Sequence, residues 1–126
     1  MSKLPDRRRR RSHDVFEAIG FQLQACTEDA GLDAMVVADE DGLCLAAAGP
    51  ADRCGEIAAH LPILGRQPGG FRGVLLADDG GIPADVQRFL IDGSELYVCA
   101  IGGDEDLRAR QIARSIRGCA RILASV

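Results

Sequence analysis

Three kinds of residue in this chain are able to do chemistry, and their spacing argues against each in turn. Carboxylates pair at Asp39/Asp41, Asp78/Asp79 and Asp104/Asp106; histidines stand at His13 and His60; cysteines stand at Cys26, Cys44, Cys54, Cys99 and Cys119. Two carboxylates make an acid and a base only when their surroundings push their pKa values apart. All three pairs fall in predicted turns or at a helix start, where solvation and capping account for them. A calcium loop around Asp39-Glu40-Asp41-Gly42 would need a third acid two residues before Asp39 and a Glu six residues after Gly42. Those positions hold Val37 and Ala48.

The thiols fare no better as nucleophiles. Cysteine catalysis needs a histidine beside the sulfur. His13 adjoins a charged arm, and His60 lies six residues from Cys54, which is not one helical face. No C-x-x-C occurs, and Cys44, Cys99 and Cys119 fall at apolar positions of predicted elements. The reading is buried reduced thiols that pack as small hydrophobes in a cytoplasmic protein. A phosphate-binding G-x-x-x-x-G-K-[ST] is absent, and the only lysine is Lys3. Neither a strand-to-helix G-x-G-x-x-G nor a G-x-S-x-G elbow appears. The expectation is therefore no catalytic residue, no metal and no cofactor: a protein that is not an enzyme.

Charge divides the chain unevenly. Residues 1–11 carry Lys3 and Arg7–Arg11 against Asp6, whereas the other 115 residues carry 9 basic and 18 acidic groups. Like charges in a row, with nothing apolar to bury, predict a disordered basic arm over 1–11 ahead of one domain over 12–126. A nucleic-acid binder would place its positive surface on the folded part instead. The arginine run is followed by no apolar segment of the kind an export signal carries, and no window approaches the ~18 apolar residues of a membrane span.

The elements that must position these residues can be read in order. Asp14-x-x-Glu17 has the form of a capping box and predicts the start of a first helix, with Val15, Ile19, Leu23 and Cys26 as its apolar stripe and Gly31 as its C-cap. Asp33–Ala38 and Leu43–Ala48 read as strands about the Asp39–Gly42 turn. Gly49-Pro50 opens a second helix whose stripe is Cys54, Ile57, Ala58, Leu61 and Leu64, with Pro62 weakening its last turn. Phe71–Ala77 is a third strand, and Asp78–Asp85 reads as a polar connection. Val86–Ile101 reads as a hairpin about Asp92-Gly93, a pair suited to a tight turn with positive φ. Its second arm, Leu96–Ile101, is almost wholly apolar, which predicts a central strand covered on both faces. A last helix from about Asp106 to Ala124 sets Ile112, Ile116, Cys119 and Leu123 opposite Arg110, Arg114, Arg117 and Arg121. Those arginines form an outward basic face, a solvated surface or a partner surface for an acidic molecule.

The order helix–strand–strand–helix–strand–strand–strand–helix is α+β. With GLDAMVVADEDGLCLAAAG early and IDGSELYVCAIGG before the final amphipathic helix, the sequence resembles the roadblock (dynein light chain) family over about residues 14–124. The resemblance implies a five-stranded antiparallel sheet with helices on both faces, a roadblock/profilin-like sandwich. It also implies a homodimer in which helix two and the third strand of each chain meet. Ile57, Leu61, Leu64, Val74 and Leu76 are the expected interface, and an apolar third strand at an edge would need such cover. Family members commonly regulate or scaffold small Ras-like GTPases or attach cargo to motors, so a small GTPase is the implied partner. Two other readings stand beside it. One is a small-ligand sensor, with Ala46–Ala48 leaving room for a pocket; the other is an adaptor to an anionic surface through Arg7–Arg11.

Overall fold

The computed structural model describes residues 6–77 and 80–124, with side chains from Asp14 onward except at Ala77. Its elements are α1 (Asp6–Ala30), β1 (Ala34–Asp39), β2 (Cys44–Ala48), α2 (Ala51–Gly65), β3 (Phe71–Ala77), β4 (Gly80–Ile91), β5 (Ser94–Ile101) and α3 (Glu105–Ala124). The strands form one five-stranded sheet in the order β2-β1-β5-β4-β3, with every neighbouring pair antiparallel.

The apolar strand β5 sits at the middle, between β1 and β4. Alternation sends its side chains into two separate cores. Val98 and Ala100 join Met35, Val37, Ile19, Leu23 and Ile112 beneath α1 and α3. Tyr97, Cys99 and Ile101 join Ala34, Val36, Cys54, Ala58 and Leu61 beneath α2. Burying both faces is what removes the penalty of a strand with no polar side. The Asp92-Gly93 turn has φ of 51° and 80°, the paired positive values that a two-residue hairpin requires.

Local signals explain most of the boundaries. Asp104 caps α3, its Oδ2 accepting from the Asp106 and Leu107 amides at 3.0 and 3.2 Å. Asp39 Oδ1 accepts from the Asp41 and Leu43 amides, each at 2.9 Å, so its carboxylate serves the β1–β2 turn. Helix α2 runs on through a buried Pro62 to Gly65. A Cβ at Gly65 would overlap the buried Tyr97 ring, so only glycine lets α2 end against β5.

Two boundaries correct the sequence reading. Helix α1 starts at Asp6, eight residues before the Asp14 capping box, and its first turns take in Arg7–Arg11. Arginine is a strong helix former, and each residue added to a formed helix gains a backbone bond; a like-charge i,i+4 pair opposes this by only a few tenths of a kcal/mol. Residues 1–5 of the expected arm lie outside the described residues. Strand β4 starts at Gly80, not Val86, and pairs with β3 from Ala77↔Gly80 to Phe71↔Val86. Gly80, Gly81 and Pro83 disguise it, because these residues seldom stand in strands; Pro83 is accommodated near the sheet edge. Asp78 and Asp79 themselves lie outside the described residues.

Candidate interaction surface

Strand β3 is an edge strand, and α2 does not cover it: α2 packs on β1, β2, β4 and β5. Between α2 and β3 this leaves a trough of about 480 Å³, walled by Ile57, Ile63, Leu64, Phe71 and Leu75, with Glu56 and His60 at its rim. Val74 and Leu76 reach its open side and are 58% and 92% exposed; Ile63 on α2 is 71% exposed. Alternation along β3 sets Phe71 and Leu75 toward α2 and Val74 and Leu76 away from it, so the open edge is apolar on both faces. Beyond the first turn of α2 the trough continues into a more polar groove of about 570 Å³ bordered by Asp33, Asp52, Arg53 and Ile82. An apolar edge of this kind is a template for another chain unless it is charged or covered.

Of the five residues expected at an interface, Ile57 and Leu64 are half-buried on the trough wall, and Val74 and Leu76 stand on the open edge. Leu61 differs. It is fully buried in the core beneath α2 and presents no surface to a second copy. The periodicity of α2 could not separate it from Ile57, since both lie on the apolar stripe. Ile63, off that stripe, is exposed on the trough wall beside Ile57 and Leu64.

The edge strand is tied to the body by a charge network that sequence reasoning also missed. Asp85, buried on β4, accepts from Arg108 Nε at 3.2 Å and from Arg72 Nε at 3.1 Å. Arg108, buried at the start of α3, also donates through Nη1 to the carbonyls of Gly102 and Gly103 at 3.0 and 2.7 Å. Arg72 reaches on to Glu105. Both buried charges are thus paired and hydrogen-bonded, which is the condition for burying them at all.

The α3 arginines divide. Arg110, Arg117 and Arg121 are exposed. Arg114 is engaged, donating to Asp29 Oδ2 at 2.7 Å and so joining α3 to the end of α1. The cysteines are packing residues: burial pushes the Cys99 thiol up to about 12 and the Cys119 thiol up to about 11, with nearby Asp85 and Cys54 adding to the first and Cys26 to the second. Ala46 is buried against α1, and Ala46 and Ala47 border only a shallow open groove with Phe16 and Phe21. The small residues of β2 let the helix approach rather than leave a chamber for a ligand. Among the described residues no cluster of His, Cys, Asp or Glu could hold a metal ion, and no helix is long and apolar enough to cross a membrane.

No family model matches the sequence, and no curated protein matches it. Solved structures do match. Myxococcus xanthus MglB superposes with a TM-score of 0.60 at 12% identity, covering 99% of this chain and 96% of that one. The fold is roadblock-like. A second MglB structure, described as having a tetrameric arrangement, gives 0.60 at 13% identity over 86% of this chain and 89% of that one. The gliding protein MglB of Thermus thermophilus gives 0.57 at 15% identity over 89% and 93%. At such identities what is shared is the fold, not the side chains.

Proposed function

We propose that this chain is a homodimeric interaction module that binds and regulates a small Ras-like GTPase, with no catalysis of its own. The observation that carries the reading is the uncovered α2–β3 trough with its apolar open edge. A second copy related by a two-fold axis would set β3 against β3 and α2 against α2, continuing the sheet and covering Ile57, Ile63, Leu64, Val74 and Leu76 at once. Both the roadblock-like fold and the sequence resemblance to that family support a GTPase as partner.

The test is direct binding. The purified chain is titrated against each small Ras-like GTPase of the same genome, loaded with GDP or with a non-hydrolysable GTP analogue. One GTPase is expected to bind in a nucleotide-dependent way, with a preference on the order of tenfold, the usual size of coupling between two sites. If none binds in either state, the reading fails.

A further inference from the structure

The α2–β3 trough leaves the opposite side of the sheet unexplained, and that side is electrically unlike the rest. Helices α1 and α3 together carry ten basic and seven acidic residues, whereas residues 31–104 carry four basic and twelve acidic. The two helices are antiparallel neighbours: Asp29 meets Arg114, Cys26 meets Ser115, and Gln22 lies against Gly118. Continuing that register puts the start of α1, with Arg7–Arg11, at the same end of the layer as Arg117 and Arg121. Of the seven acids, four stand at the other end, Glu28 and Asp29 closing α1 and Glu105 and Asp106 opening α3; the basic end sets seven arginines (Arg7–Arg11, Arg117 and Arg121) against Asp6, Asp14 and Glu17. Arg110, Arg117 and Arg121 are exposed and have no hydrogen-bond or ion-pair partner among the described residues.

We propose that this basic end of the α1/α3 layer docks the protein on an anionic lipid surface. A cluster of four to eight arginines or lysines on a helix is the footprint such a surface selects. The acidic remainder of the molecule would be repelled, so the charge asymmetry fixes the orientation as well as the attraction. Shape separates this partner from nucleic acid. The major groove is about 12 Å wide and admits one helix, itself about 10–12 Å across with its side chains. Here the arginines are divided between the start of α1 and the end of α3, a spread patch rather than one helix face for a groove. Single strands are held by successive stacked aromatics, and Phe21 is the one strongly exposed aromatic among the described residues. On α1 it is the kind of apolar group that the headgroup boundary accepts.

The experiment is co-sedimentation of the full chain with vesicles of zwitterionic lipid alone and of the same lipid with about one-third phosphatidylserine, at low and high salt. Binding is expected only to the anionic vesicles and only at low salt, since exposed charges are screened within about 3 Å at 1 M salt. The double variant Arg117→Glu, Arg121→Glu should lower the bound fraction at least about tenfold. Its melting curve should match wild type, because those side chains make no contact that the fold uses. A second variant with Arg7–Arg11 replaced by Gln should weaken binding independently. Equal binding to both vesicle types, or undiminished binding by the two variants, overturns the proposal. So does retention of duplex or single-stranded DNA by a protein that leaves anionic vesicles untouched, which would assign the patch to nucleic acid.

Discussion

Asp85 is the shared anion for Arg72 on β3 and Arg108 on α3, and so ties three elements together. Removing it strands the buried Arg108. Asp85→Ala is expected to cost about 3–5 kcal/mol in chemical denaturation. Arg72→Ala should stay close to wild type, because its guanidinium stands in water. Equal losses for both would show that the network is not organised around the buried pair. Arg108 was legible in principle: it lies four residues before Ile112, in phase with the apolar stripe of α3. It escapes notice because the sequence places Asp85 in a loop, leaving the arginine no partner. The thiols give a second prediction. Cys99 and Cys119 have raised folded pKa values, so the native state holds their protons more tightly than the unfolded chain does. Stability should hold steady below the ordinary thiol pKa of about 8.5 and fall as pH rises from there toward 11–12. A thiol reagent at pH 8 should label Cys44 first and Cys26, Cys54, Cys99 and Cys119 only at the rate of unfolding.

Among the elements, those with strong local signals were legible and those set by their neighbours were not. The β4–β5 hairpin, the central place of β5 and the two-faced packing of the sheet follow from one apolar strand and one turn dipeptide. Gly93 holds that turn at φ 80°, so Gly93→Ala should destabilise by about 1 kcal/mol, with the same native circular dichroism. No change would mean that the turn does not fix the register. The start of β4 was hidden because Gly80-Gly81-Ile82-Pro83 has the composition of a loop, and only pairing with β3 makes it a strand. The start of α1 was hidden because repulsion within the arginine run argues for a loose arm, whereas continuation of a formed helix outweighs it.

At the scale of the whole molecule, fold and function separate. The α+β class could be read from the order of elements, and the sandwich from the family resemblance that this order and its motifs carry; the superposed structures share the fold. The candidate surface was half legible. An apolar stripe reveals that a residue is covered, but not whether its own chain or another does the covering, and so Leu61 and Ile57 looked alike. The central claim is that the α2–β3 trough is covered by a second copy of this chain. Sedimentation equilibrium of the full chain and of Leu76→Arg, at micromolar concentrations, tests it most directly. The account predicts twice the chain mass for the wild type and the single-chain mass for a folded Leu76→Arg. A wild type that sediments as a single chain, or a Leu76→Arg variant that remains a dimer, would contradict it.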